Sequence, residues 1–304
     1  MTTSTKSIIF FGTGEISVAA LKTASKLFEV EAVFTKPDSE HHGKTIISPV
    51  KAWATEHKLP VLQPRSGDEL TKQLTSANFS SKMGLLVDYG IIVRQSAIDF
   101  FEHGIVNSHF SLLPKLRGAD PITAAILEGL DVSGITLMQL AEKLDAGPII
   151  IQNELPGIAN MDVDELDQAF IELNDRMLRE YLLDYYNGDL SVIKQNESDA
   201  TYTIKLQKND GLIDGSKPAL QVEREIRAFL SWPGSYFDWH NTRIIIKQAV
   251  LSEQTLSPQE LKLIDGCLIF GCKTGSIEIL SLQVAGKKEM TAKDFINGHR
   301  TKLL

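Results

Sequence analysis

Ser7-Ile-Ile-Phe-Phe11 is a short apolar run that stops at Gly12-Thr13-Gly14, and an apolar-periodic segment then continues to Leu27. A second run from Val30 to Thr35 completes a strand–turn–helix–strand unit. The pattern repeats along the chain. Ser48-Pro49 combines a good N-cap with a proline for the first helical turn. Met83–Val87 and Ile105-Val106-Asn107 read as strands, Pro121–Leu127 as a helix stopped by Gly129, and Gly134–Leu140 and Pro148–Gln152 as strands. A long helix is expected from Asp162 to Tyr186, with Asp162 and Glu165 spaced for capping and Asn187-Gly188 at its end. Alternating strands and helices predict an α/β fold with a doubly wound, mostly parallel sheet. Ligands of such sheets sit beyond the carboxyl ends of the strands, where Asn107 falls.

The character changes after residue 188. Asp189–Ala200 is polar and patternless and reads as a linker. Beyond it, Thr242–Val250, Gly266–Gly271 and Ser276–Leu282 are β-rich runs separated by turns, with Glu223–Leu230 as the one sizeable helix, which suggests a small antiparallel barrel. The expected division is a catalytic domain over 1–188, a linker over 189–204 and a second domain over 205–304. Lys36–Ile47 reads as a polar loop.

Charge follows the same division. The chain carries a net −8, but residues 205–304 hold 14 Lys and Arg against 11 Asp and Glu, a net +3, which leaves −11 for residues 1–204. A basic last third beside an acidic remainder suggests that the C-terminal part meets a polyanion. With 43% hydrophobic and 23% charged residues, the 304-residue chain has the composition of a folded globular protein. No apolar run reaches the roughly 18 residues of a spanning helix, and the first six residues lack the apolar centre of a signal peptide. A cytoplasmic protein without membrane contact is expected. Cys267 and Cys272 have no second pair of ligands nearby, so reduced structural thiols are expected and no metal. Gly12-x-Gly14 lacks the third glycine and the acidic residue of a dinucleotide fingerprint, which excludes a nicotinamide cofactor.

One stretch carries chemistry. Asn107-Ser-His109-Phe-Ser-Leu-Leu-Pro114, then Arg117-Gly118, Pro121 and Asp145-Ala-Gly147, puts an amide, an imidazole and a carboxylate around a strand-to-loop junction. Such a set can run an acyl transfer without a covalent intermediate: the amide meets an oxyanion, the ring moves a proton, and the carboxylate orients the ring. The alternative is a buried polar turn, with Asn107 capping, His109 satisfied in the core and Asp145 in an Asx-turn.

These residues, extended by Pro121-Ile122, Gly134-Ile-Thr136-Leu-Met138 and Asp145-x-Gly147, resemble the core signature of the folate-dependent formyltransferases. Phe11-Gly12-Thr13, Ser48-Pro49-Val50-Lys51 and Leu282-Gln283-Val-Ala285-Gly286-Lys287-Lys288-Glu-Met290 resemble the branch of that family that formylates methionyl-tRNA. The resemblance runs from about Ser7 to Gly298. It implies 10-formyltetrahydrofolate as donor, initiator methionyl-tRNA as acceptor, an OB-like C-terminal fold and a monomer. By the same resemblance Asn107, His109 and Asp145 are the expected catalytic residues, and Ser111, Leu112, Leu113 and Pro114, with Leu86, Asp88, Tyr89, Gly90 and Ile91, are expected to line the folate pocket.

The chain departs from the family pattern at three places. Asp88 stands where a small residue is usual, and Phe110 replaces a small residue or proline. The segment between Asp38 and Ser48 is short and weakly basic, where the tRNA enzymes carry a longer loop rich in Arg, Lys and Gly. His41 and Lys44 are left to meet RNA there, unless the loop touches nothing; Arg243, Lys247, Lys287 and Lys288 are then expected to carry more of the phosphate contacts. A sugar-nucleotide or glycinamide ribonucleotide amine as acceptor, hydrolysis of formyl-folate, and a non-catalytic tRNA-binding role are the competing readings.

Overall fold

A computed structural model describes residues 6–41 and 43–303. The first half begins with β1 (Ser7–Gly12), α1 (Glu15–Leu27) and β2 (Glu29–Phe34). A hairpin of β3 (Ser39–His41) and β4 (Lys44–Ile46) leads to α2 (Pro49–Glu56), β5 (Val61–Leu62), α3 (Gly67–Ser76), β6 (Met83–Val87), α4 (Gln95–Ile98) and β7 (Ile105–His109). Then come α5 (Pro121–Glu128), β8 (Val132–Gln139), β9 (Ile149–Pro156) and α6 (Val163–Asn187). The main sheet has the order β5-β2-β1-β6-β7-β8-β9. Its first five strands are parallel, while β8 runs antiparallel to β7 and β9 antiparallel to β8. All six residues of β1 are buried, as an uninterrupted apolar run at the centre of a parallel sheet requires.

Local signals placed the helices as expected. Ser48 Oγ accepts from the Lys51 N–H at 3.1 Å with a proline in the first turn of α2. A reciprocal box opens α6, where Glu165 N–H donates to Asp162 and Asp162 N–H to Glu165.

The remainder forms α7 (Ala219–Ala228), β10 (Ser235–Trp239), β11 (Thr242–Ser252), β12 (Leu261–Ile264), β13 (Cys267–Gly271), β14 (Ser276–Val284), β15 (Glu289–Thr291) and α8 (Ala292–Leu303). Its antiparallel sheet has the order β10-β11-β14-β13-β12, with β15 on β14, a half-barrel rather than a closed one among the described residues. Val222 and Ile226 of α7 and Phe295 and Leu303 of α8 share its core with Phe237 and Phe270, whose rings lie 4.6 Å apart. Cys272 is buried there and Cys267 partly so, both as free thiols.

Contacts group the chain into two compact units that are not two continuous segments. One holds the residues up to Pro121, Val132–Pro156 and Asp167–Thr203; the other holds Ile122–Asp131, Gly157–Leu166 and the residues from Ile204 on.

Four features differ from the sequence expectation. Residues 39–46 form a hairpin rather than a plain loop, because Gly43 takes the turn at φ +72°. The C-terminal helix α8 was not anticipated, although Thr291 and Asp294 exchange capping bonds of 2.7 and 3.2 Å at its start. Residues 189–203 belong to the first unit rather than forming a free linker: Ile193 pairs with Ile149, and Arg117 N–H donates to Thr201 O at 2.9 Å. Tyr89, expected to face a ligand, is 1% exposed and packs edge-on against Phe11 at 5.6 Å. An aromatic ring gains more from burial than its hydroxyl loses, although burial pushes the phenol up and leaves its oxygen without a partner among the described residues.

Two stability predictions follow from this packing. Removing an unpaired buried hydroxyl lifts a desolvation cost of about 1–3 kcal/mol. Tyr89→Phe should therefore hold or raise the urea midpoint, and a loss of more than about 1 kcal/mol would mean that the hydroxyl has a partner. Glu197 is the pH-sensitive anchor of the 189–203 segment, since hydrogen bonds from Arg117 and Lys143 hold its carboxyl down to about 2 from an ordinary 4.5. A lowered carboxylate contributes stability above its unfolded value and loses it as pH falls through the folded one. The stability gap between the wild-type chain and Glu197→Gln should be constant above about pH 5 and close between about pH 5 and 2. A gap unchanged across that window would remove Glu197 from the stability balance.

Candidate active site

Side chains alternate along a strand, so Asn107 and His109 share one face of β7 while Ser108 takes the other, where its Oγ donates to Asn174 of α6 at 2.6 Å. Asn107 and His109 are each 6% exposed. Among the described residues no hydrogen bond occupies the Asn107 carboxamide. His109 Nε2 lies 2.9 Å from the Leu116 carbonyl. Because a carbonyl can only accept, Nε2 carries a proton and Nδ1 is the nitrogen turned toward Asp145.

Asp145 belongs to the loop between β8 and β9. That loop leaves β8 beside the start of β7, where Leu140 N–H donates to Ile105 O at 2.7 Å, and turns back to bring Asp145 Oδ2 within 3.8 Å of His109 Nδ1. At that separation the carboxylate supplies charge rather than a hydrogen bond, so the Leu116 carbonyl, and not Asp145, fixes the imidazole tautomer. Asp145 Oδ2 itself accepts from Gly118 N–H at 2.8 Å. Gly147 closes the loop where no other residue fits, since a Cβ there would lie 1.8 Å from Gln139 O.

Three non-glycine residues at this edge take the left-handed conformation: Asp88 at φ +45°, Leu116 at +56° and Asp145 at +47°. Such backbone costs on the order of 1–3 kcal/mol per residue and persists where the surroundings over-determine it, most often at functional sites. Leucine has no side-chain polar group to ease the conformation, so Leu116 is the most strained of the three.

The 111–114 segment is fixed by the neighbouring strands. Thr136 Oγ1 donates to Ser111 O at 2.6 Å and accepts from Leu113 N–H at 3.0 Å, while Gln152 Nε2 donates to Leu113 O at 2.8 Å. Ser111 turns its hydroxyl onto Lys115 O at 2.7 Å. Leu113 is 3% exposed and belongs to the core. Leu112 is half-buried against Gly134, and a Cβ at Gly134 would come within 2.5 Å of it. Pro114 is half-buried. Phe110 packs edge-on against Phe170 at 5.6 Å, which accounts for a large ring at that position. In the sequence Thr136 stands only as part of the family signature and Gln152 only as a strand end, with no role for either, since strand alternation shows only which face a residue occupies.

Near the end of β6 Leu86 is partly buried; beyond the strand Asp88 and Gly90 are exposed and Ile91 is half-buried. Tyr89 meets this edge only through its backbone, accepting from Thr13 Oγ1 at 3.0 Å. One face of Asp88 meets solvent, yet the protein packed around it raises its carboxyl, against the pull of Lys36 and a hydrogen bond from the Gly14 backbone.

The basic residues singled out in the sequence fall in two places. Lys44 is exposed on β4, and the side chain of His41 lies outside what the structure describes. Arg243 and Lys247 share one face of β11, and the exposed turn with Lys287 and Lys288 continues from it, since Ala285 N–H donates to Arg243 O at 2.9 Å. Arg243 lies over the Tyr236 ring at 3.8 Å and 3.7 Å from Asp238, and Lys247 reaches Leu230 O at 3.4 Å. Lys287 and Lys288 have no such engagement among the described residues.

Comparison with known proteins agrees with this architecture. Residues 6–182 match the formyl transferase family and residues 205–300 its C-terminal domain. A methionyl-tRNA formyltransferase of Koribacter versatilis is 36% identical over 301 residues, 96% of each chain, and one of Marinobacter nauticus 34% identical over 98% of this chain and 97% of its own. Among solved structures, an N-formyltransferase of Helicobacter canadensis in complex with folinic acid and dTDP-3-aminofucose superposes with a TM-score of 0.68 at 20% identity, covering 90% of this chain and 98% of its own. A methionyl-tRNA formyltransferase of Clostridium thermocellum gives a TM-score of 0.56 at 15% identity, covering 82% and 95%. The chain belongs to the formyl transferase family, and by identity along its whole length to the methionyl-tRNA formyltransferases within it.

Proposed function

We propose that the chain transfers the formyl group of 10-formyltetrahydrofolate to the free amino group of initiator methionyl-tRNA, with Asn107, His109 and Asp145 as its catalytic residues. The observation that carries this reading is the His109 imidazole, held by the Leu116 carbonyl with Nδ1 turned toward Asp145 and the unengaged Asn107 carboxamide on the same strand face. When the amine attacks the formyl carbon, charge develops on the formyl oxygen, and the Asn107 amide donates to it. The nitrogen of the adduct must then lose a proton. His109 Nδ1 is the ring nitrogen placed to take it, and the Asp145 carboxylate stabilises the imidazolium that results. The proton is delivered to the folate nitrogen as that nitrogen leaves. Ser111–Pro114 and the Leu86–Ile91 segment form the folate pocket, with the half-buried Leu112 and Ile91 as apolar wall and the backbone of Tyr89 rather than its ring.

The RNA surface of this reading is the outer face of β11 and the turn after β14. Lys287 and Lys288 stand free for phosphates, whereas Arg243 is partly neutralised by Asp238 and Lys247 is tied to a carbonyl. The β3–β4 hairpin offers Lys44 and His41, with the exposed Ile46 and Ile47 after them.

Formyl transfer assayed with methionyl-tRNA, an amino-sugar nucleotide and water as alternative acceptors should proceed with methionyl-tRNA; transfer only to the sugar amine, or release of formate alone, refutes the reading. Asn107→Ala should lower kcat by about 10²–10³, the usual cost of losing an oxyanion donor, and His109→Ala and Asp145→Ala should each remove most turnover with folding intact. Two of the three retaining near-wild-type turnover would overturn the site. For RNA, each lost phosphate contact flattens the dependence of log K on log salt by about 0.7–0.9. Lys287→Ala with Lys288→Ala should therefore weaken tRNA binding and flatten its salt slope more than Lys44→Ala does. The reverse order would make the hairpin the main reader.

A further inference from the structure

We infer that Gln195 is a positioning residue for the formyl-transfer reaction, holding Asp145 in the conformation that His109 requires. Gln195 is 5% exposed, within the polar segment that follows α6. Its carboxamide is fully used. Oε1 accepts from Arg117 Nε at 3.1 Å and Nη2 at 2.7 Å, and Nε2 donates to Asp145 O at 2.8 Å and Gly147 O at 2.7 Å. The amide orientation is forced, because a guanidinium offers only donors and the two carbonyls only acceptors.

The two carbonyls belong to the residues on either side of Ala146, so Gln195 fixes both peptide planes of the bend in which Asp145 sits at φ +47°. A left-handed aspartate costs on the order of 1–3 kcal/mol, and two hydrogen bonds in a buried site are of the size needed to hold it. Released from them, the Asp145 backbone relaxes toward an ordinary conformation and its carboxylate swings from the Gly118 N–H and from His109. A misplacement of about 1 Å at a catalytic group costs on the order of a hundredfold in rate. Arg117 is the other half of the device. It has no exposed side-chain surface and is neutralised by Glu197, to which Nη2 donates at 3.0 Å, with Lys143 on the same carboxylate from the start of the Asp145 loop.

The inference rests on the site reading above, and the test separates the two. In the full-length chain, Gln195→Glu keeps the packing and the Arg117 acceptor but replaces the two donors by an oxygen facing two carbonyls. It should lower kcat by about ten- to a hundredfold with the KM for the folate donor within about twofold, in a chain that melts below wild type because the two carbonyls lose their donor but stays folded at the assay temperature. Gln195→Met, which keeps the length and removes all four bonds, should lower kcat as much. In an Asp145→Asn background, Gln195→Glu should add no further loss, because a residue acting through Asp145 has nothing left to position. Wild-type kcat in both Gln195 variants, or a full additional loss in the double variant, overturns the inference while leaving the site reading intact. Wild-type turnover in Asp145→Asn alone overturns the site reading, and the role of Gln195 with it.

Discussion

The arrangement depends on one buried charge. Arg117 has no exposed side-chain surface, and a guanidinium in that position is tolerable only if its donors are met. They are met by Gln195, Glu197 and Tyr202, all from the segment after α6. Its backbone pairs with the same segment, through Thr201 O and Thr203 N–H at 2.9 and 2.7 Å. The neighbours of Arg117 in sequence then do the orienting. The Leu116 carbonyl accepts from His109, and the Gly118 N–H donates to Asp145. Three consecutive residues thus set the imidazole, the carboxylate and, through Gln195, the loop that presents the carboxylate.

This explains why strain collects where it does. Leu116 and Asp145 both take left-handed backbone, and each is tied to the segment after α6: Leu116 N–H donates to Thr201 Oγ1 and Asp145 O accepts from Gln195 Nε2. A site assembled this way needs no reorganisation when charge appears on a bound substrate, because its dipoles are already oriented. The cost is met by contacts outside the reacting groups, including the Thr136 and Gln152 bonds that lock the 111–114 turn.

The surface proposed to meet RNA is built on a different principle. Lys287 and Lys288 lie on a turn that is rigid in its backbone, with Lys287 N–H on Val284 O at 2.9 Å and Gln283 on Lys287 O at 2.8 Å, while their side chains remain free. Unpaired ammonium groups on a hydrogen-bonded turn suit phosphate contacts, which position a nucleic acid without reading its bases. The weakly charged hairpin after β2 exposes Ile46 and Ile47, which gives it a different surface from a basic loop.

Everything with a local cause was legible in the sequence. Apolar runs marked the buried strands, and Ser48-Pro49 and the Asp162–Glu165 pair marked helix starts. These signals act within a few residues, so sequence spacing carries them. The same kind of signal was present but missed at Thr291 and Asp294. What tertiary structure decided involves residues far apart in the chain. Tyr89 went into the core because Phe11 and Phe34 were there to receive its ring. Gln195, in a stretch with no pattern, lies against the Asp145 loop because the donors of Arg117 and the carbonyls of Asp145 and Gly147 together satisfy its carboxamide. The imidazole tautomer was set by a backbone carbonyl, which no side-chain sequence encodes. Periodicity and capping are properties of a segment, whereas hydrogen-bond satisfaction in the interior is a property of the whole packed chain.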